Sequence, residues 1–202
     1  MADSTVAGPL PPDVGSPAPL EGQGLNQFLQ GWIVGITGFN SAMVRPRWQP
    51  EPANIPSEGN CWMAFGITSR SFDSYGMTFH DPTADAGLGA DNYQRHETLN
   101  LLLSFYDLGV NGLADYYAAL LIDGVQIDQN RELLNLNGFG LTETKDPVVA
   151  PSLFKERWQY RVDVQMSLRR QVRRTYPVRN IIRFSGTLTA DTPHILTENI
   201  TV

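Results

Sequence analysis

The sequence predicts an α+β fold: a mostly antiparallel β-sheet flanked by an N-terminal helix and a mid-chain helix pair, with a Pro/Gly-rich N-terminal arm. Three patterns predict it. An apolar face recurs at helical spacing from Leu25, a strict two-residue alternation runs through Trp158–Leu168, and the order helix, strands, helices, strands departs from the βα alternation of a doubly wound sheet.

Residues 1–23, "MADSTVAGPLPPDVGSPAPLEGQ", are rich in Pro, Gly and Ala and hold no aromatic side chain. Such a stretch cannot build a core, and the expectation is an extended arm ordered by partner chains. A single α+β domain is expected over 24–190 and a C-terminal tail over 191–202. Leu25, Phe28, Leu29, Trp32, Ile33 and Ile36 then mark one face of an amphipathic helix that stops at Gly38. Gly31 and Gly35 lower its helix propensity, which suggests close packing against a neighbour.

Four prolines in "MVRPRWQPEPANIP" restrict that segment to an extended connector or sheet edge. "CWMAFGITSRSFDSYGMTFHD" and "YQRHETLNLLLSFYD" have strand composition, and the loop Pro82–Asp91 makes them an antiparallel pair. A helix is expected through "GLADYYAALLI" with Asn111 as its cap, and a short one in "DQNRELLNLNG" between Asp128 as cap and Gly138 as stop. "GFGLTETKD" reads as a short strand, and "PVVAP" as a Pro-bounded loop.

The alternation near the C-terminus fixes a strand. Trp158, Tyr160, Val162, Val164, Met166 and Leu168 form the expected buried face, with Gln159, Arg161, Asp163, Gln165 and Ser167 between them. "NIIRFSGTLTA" is expected to return antiparallel on it. Arg169, Arg170, Arg173 and Arg174 would then gather near the end of a hairpin.

Charge narrows the function classes. The net charge of −6 argues against a nonspecific nucleic-acid binder, yet Lys155–Arg183 carries nine basic residues against two acidic ones. A chain polarised in this way suits basic-to-acidic contacts between subunits. The four clustered arginines are therefore expected at an inter-subunit or inter-ring boundary, ahead of contact with DNA or plain solvation. Asp163 beside Arg161 is expected in a cross-strand ion pair.

Motifs for chemistry are absent from the sequence. "GITGF" and "GLGAD" lack the spacing of a dinucleotide fingerprint or a P-loop, and no nucleophile elbow occurs. His80, Asp81, Asp85, Asp91, His96 and Glu97 lie close along the chain but match no ligand spacing, so a solvated loop is expected. No catalytic residue, cofactor or metal site is assigned. The one cysteine, Cys61, reads as a small buried apolar residue. No apolar run reaches the length of a membrane span, and no secretory leader is visible, so synthesis on the cytosolic side is expected.

Several segments together resemble the neck or tail terminator proteins of tailed bacteriophages: "LNQFLQGWIVGITGF", "MVRPRWQPEPANIP", "IDGVQIDQNRELLNLNGFGL" and "ERWQYRVDVQMSLRRQVRRTYPVRNI". Trp48 between prolines and the Trp158, Arg161, Asp163 strand opening are the most specific of these features. The similarity runs from about Leu25 to Thr189. It implies a virion subunit that forms a ring, commonly a hexamer, at the head–tail junction. The ring would contact the tail tube protein on one side and a head-side connector, adaptor or collar protein on the other, with genomic DNA passing through its lumen and no membrane involved. Two other classes remain open on the residues alone: a free-standing adaptor with one viral or host partner, and a hydrolase using the His80–Glu97 region.

Overall fold

The computed structural model describes residues 3–48, 61–107, 112–154, 156–181, 185–187 and 199–201. The fold is α+β. Helix α1 spans Gly22–Thr37 and leads through a short 3-10 turn, Ser41–Met43, to strand β1, Val44–Pro46. Strands β2 (Trp62–Phe72) and β3 (Met77–Asp81), the one-turn α2 (Ala84–Gly87) and the long β4 (Ala90–Asp107) follow. The helix pair α3 (Leu113–Gly124) and α4 (Asp128–Leu136) precedes β5 (Phe139–Thr144), β6 (Val148–Val149), β7 (Ser152–Phe154) and the longest strand, β8 (Arg157–Tyr176). Two short strands, β9 (Ser185–Thr187) and β10 (Asn199–Thr201), close the order.

The main sheet has the order β1-β2-β4-β8-β5, with β3 added to β4 and β6 and β7 added to β8. All of its pairings with described register are antiparallel except the edge strand β1, which runs parallel to β2. Pro46 ends that edge strand, where its missing N–H costs no ladder bond.

Two compact units divide the chain, and their boundary falls within β4 and β8. The larger unit comprises Ala18–Gly76 and Arg95–Val172. Its core joins Leu25, Leu29, Trp32 and Ile33 of α1 and Ala114, Ala118 and Leu121 of α3 to one face of the sheet, represented by Phe65, Leu101, Leu103, Phe105, Val164 and Met166. Gly38 ends α1 in the left-handed region at φ 67° and donates its N–H to Val34, a stop that sequence predicts. The expected close packing at Gly31 and Gly35 is not found, because a Cβ at either position would meet nothing within 4 Å. Helices α1 and α3 instead approach at Gly124, where a Cβ would lie 2.3 Å from Cγ2 of Ile36.

The opposite sheet face carries a polar network beside the stacked Trp62 and Tyr106. Ser167 donates to Asn100 at 2.9 Å, and Asn100 donates to Ser69 at 2.8 Å, so one hydrogen-bonded row crosses β8, β4 and β2. The buried Ser104 links Arg47 to Asp163, and Arg161 pairs with Asp163 at 3.0 Å. That ion pair joins residues two apart on the same strand rather than crossing between strands.

The smaller unit comprises Met1–Pro17, Met77–Gln94 and Arg173–Val202. Here the described part of the arm is tied to its own chain. Thr175 gives both backbone groups to the arm, its N–H to Ser16 Oγ at 2.9 Å and its carbonyl to the N–H of Asp13 at 2.8 Å. Ser4 adds a backbone bond to Pro177 at 3.1 Å and accepts at its hydroxyl from the N–H of Arg179 at 2.7 Å. The arm thus occupies an edge of β8 that would otherwise be open to another chain.

Several expectations need correction. The described strand of "NIIRFSGTLTA", β9, pairs with β10 rather than with β8, and residues 182–184 and 188–190 lie outside the described set. Its place is already taken, because β8 has β4 on one side and β5, β6, β7 and the arm along its length. "PVVAP" contains strand β6, whose Val148 and Val149 pair with Asp163 and Val162. The first of the two expected strands breaks at Asp73–Gly76 into β2 and β3, both laid along β4. Asn111 lies outside the described residues, and the first amide of α3 is met by the carboxylate of Asp107, which accepts from Leu113 N–H at 3.0 Å. Asp128 is the first residue of α4, one position after its N-cap Ile127.

Trp158 is the correction with the widest consequence. The buried face of β8 holds at Val162, Val164, Met166 and Leu168 and continues to Arg170 and Val172, but Trp158 is 76% exposed. Tyr160 is the transition: half-buried against the core, it donates its hydroxyl to Asp115 of α3 at 3.0 Å. Before Tyr160 the strand outruns the helices, and its partner there is Leu153 of β7, itself exposed.

Candidate intersubunit surfaces

Strand β8 distributes its arginines by the same period that builds the core. Arg170 falls on the inward face and is 4% exposed. Its Nε donates to Glu97 at 2.6 Å, and its two terminal nitrogens reach the carbonyl of Leu20 and the carboxylate of Glu21. Glu97, 2% exposed on β4, is also 3.3 Å from Arg95, and Glu21 is shared with Arg70 at 2.8 Å. The hydrogen bond from Arg70, followed by those from Arg170, holds the Glu21 carboxyl below the usual range. The acidic partners expected for Arg170 from another chain are therefore found in its own.

A further correction follows from this node. Glu97 is no part of a solvated loop; alternation along β4 turns it inward against Arg170. A charged residue at an apolar phase of a strand is the signal that could have revealed both, since Glu97 and Arg170 each extend a run of core positions by one step of two. Arg169, on the other face, pairs with Asp73 at 3.0 Å, and Asp73 also lies 3.5 Å from His96. Arg173 is exposed and Arg174 half-exposed, both within the smaller unit.

In that unit, the remaining residues of the loop group form local contacts. His80 places Nδ1 2.6 Å from Asp91 and Nε2 2.7 Å from Oδ1 of Asn180. Asn180 Nδ2 donates to the carbonyls of Pro82 and Gly87, each at 2.9 Å, so its oxygen faces His80 as an acceptor. Both ring nitrogens must then carry hydrogen, and the bound form is the imidazolium. The Asn180 bond first, then Asp91, raises the His80 pKa above its ordinary value. A raised pKa means that the stabilisation is full below the ordinary imidazole range, about 6.5, and is lost as pH rises through the higher folded value. Hydrogen exchange at the Asn180 amide, which donates to Leu88 at 2.8 Å, is expected to quicken on that alkaline side, beyond the intrinsic rate, in the parent protein. His80→Ala should exchange faster throughout and lack that step; an identical pH profile in both proteins would refute the imidazolium assignment.

Asp81 caps its own turn through Thr83 at 2.7 and 2.9 Å, and Asp85 joins Asp3 on Arg179. Thr5, through its hydroxyl and then its amide, lowers Asp3 to about 2, with Arg179 assisting. Among the described residues, no group of three or more His, Cys, Asp and Glu side chains is placed to hold a metal ion. Cys61 is buried, and desolvation, with Asp107 nearby, pushes its thiol up to about 12, far from a reactive thiolate. No described helix is long and apolar enough to cross a membrane.

Exposed apolar side chains are the other notable feature. In the larger unit, Val149, Leu153 and Trp158 stand out from the β6-β7-β8 end of the sheet, and Leu133 and Leu136 from α4. A cavity of about 320 Å³ lies between α1 and α4, lined by Trp32, Gly35, Ile36, Leu133 and Leu136 among others.

Buried charges paired within the fold and apolar side chains left exposed are features of a protein that works through its surfaces. Residues 23–192 match the family model described as phage neck terminator protein, and the chain belongs to that family. It is a structural protein of the phage neck, which places it in the virion. No curated protein matches the sequence.

Proposed function

We propose that copies of this chain form a ring, a hexamer by the family resemblance, that caps the tail tube and joins it to the head-side connector. Genomic DNA passes through the lumen of that ring. The family match over residues 23–192 carries this reading. The apolar surfaces left bare in the larger unit support it, because such side chains are normally covered in a working assembly. A symmetry-resolved image of the purified chain, or of the particle neck, tests it: a closed ring at the tube end is expected, and a monomer at that position would sink the reading.

Arg169 and Arg173, on the outward phase of β8, and the half-exposed Arg174 lie in this proposal at an inter-subunit or inter-ring boundary, while Arg170 supports the strand from within. Exposed ion pairs contribute about 0–1 kcal/mol each, but every copy in a ring repeats them. Arg173→Glu and Arg174→Glu together are expected to weaken ring formation or head-to-tail joining. Unchanged joining with altered genome retention would move these residues to DNA contact.

A further inference from the structure

We propose that the exposed Trp158–Leu153 knob of one copy seats in the α1–α4 groove of the next, making a head-to-tail contact. This inference rests on the ring reading above and identifies the surfaces that build the ring.

The knob is an unfinished piece of core. Trp158 and Leu153 face each other across β7 and β8 and are 76% and 64% exposed. Val149, paired with the buried Val162, extends the same face at 54%. Counting by twos from Val162 through Tyr160 reaches Trp158, so the apolar stripe of β8 continues past the point where the chain's own helices cover it. A large aromatic side chain at the end of an uncovered apolar strip has the composition of an interface anchor.

The groove lies on other elements of the same unit. Trp32 is its buried floor, fixed by a 3.0 Å bond from its Nε1 to the carbonyl of Asn130, and Leu133 and Leu136 form an exposed apolar rim. Gly35 opens it. A mid-helix glycine costs about 0.8–1.0 kcal/mol relative to alanine. Among the described residues, nothing beyond its own turn of helix comes within 4 Å of a Cβ placed there, so no packing inside the fold requires the missing side chain. A group entering from outside would.

Two arguments select a second copy of this chain as the occupant. The groove and the knob share no residue, so one contact of this kind leaves a free knob and a free groove for the next. That is the heterologous geometry that generates rings. Charge also matches. In the sequence, residues 155–160 hold two basic residues against one acidic, whereas residues 123–132, leading into and along α4, carry three acidic against one basic.

The test uses the full chain at concentrations where the parent protein forms its ring. Trp158→Asp should raise the concentration needed for assembly about tenfold or more, while circular dichroism and the thermal transition stay close to the parent, because the side chain is already in water. Gly35→Leu fills the groove from the opposite side, improves helix propensity and should block assembly equally. In a Trp158→Cys, Leu136→Cys double variant, oxidation should produce ladders of cross-linked copies, and a mixture of the two single variants should produce 158–136 dimers. Normal rings from Trp158→Asp and Gly35→Leu, or dominant 158–158 cross-links, would overturn the contact while leaving the ring intact. A parent protein that is monomeric both in solution and in the particle would instead remove the ring reading itself.

Discussion

Val164→Asp is expected to leave no soluble folded protein. Val164 is 0% exposed at the centre of β8, among Val162, Met166 and Leu168, on the face that meets the helices. Among the described residues the neighbouring basic side chains of β8 lie elsewhere: Arg161 is engaged with Asp163 on the other face, and Arg170 sits three inward positions further along with Glu97 and Glu21. An ionised carboxylate there would cost more than the roughly 5–15 kcal/mol that separates folded from unfolded chains, and a neutral one still leaves unpaired polar atoms. Gln165→Asp is the matched control. Its side chain is exposed, one residue away on the opposite face, and the change should stay within about 0.5 kcal/mol. Soluble expression followed by a thermal melt distinguishes the two; a folded Val164→Asp protein would mean that the phase of the strand is misassigned.

That phase was legible in the sequence because a period of two needs only local information. The alternation fixes Val162 through Leu168 as one face, just as the spacing from Leu25 and the stop at Gly38 fix α1. What alternation cannot supply is where the cover ends. Trp158 has the right parity and lies outside the core because α3 stops contributing at Tyr160, a fact of tertiary placement. The same limit explains the misplaced C-terminal strand: its composition is that of a strand, but pairing depends on which edges of β8 remain open, and the arm and β5–β7 had already taken them.

The four arginines of β8 show both kinds of information. Their clustering in sequence is real, yet successive positions on a strand point to opposite sides, so four neighbours divide between inside and outside. Arg170 goes inward and becomes structural; Arg169, a residue earlier, meets Asp73 on the other face. Taken with the bare Trp158, this shifts the expected contact between copies from charge alone toward an apolar anchor with charged surroundings. For the proposed ring, an apolar centre with complementary charges would serve both tight joining and choice of partner.

Arg170→Ala is expected to destabilise the larger unit by about 3–5 kcal/mol, because it leaves Glu97 buried with a weaker partner. Arg95 stands 3.3 Å from that carboxylate and offers partial compensation, whereas the Nε bond and the terminal-nitrogen contact from Arg170 are lost together. For a chain of this size the thermal midpoint should fall by roughly 6–20 °C. The effect should extend to the start of α1. Its N-cap Glu21 makes no side-chain cap bond, since the carboxylate is committed to Arg170 and Arg70, and the carbonyl of Leu20 also accepts from Arg170. Faster hydrogen exchange in the first turn of α1 is therefore expected with Arg170→Ala, ahead of the strands. Arg170→Met combined with Glu97→Leu removes both buried charges, and replacing such a pair by apolar side chains is often neutral or better, so the double variant should recover most of the loss. Glu21 keeps Arg70, and Arg95 keeps its contact over the Phe72 ring at 4.2 Å, so neither is stranded in that background. If Arg170→Ala melts within about 1 kcal/mol of the parent, or the double variant is worse than the single, the node of Arg170, Glu97, Glu21, Arg70 and Arg95 is not the buried fastening of α1 to the sheet.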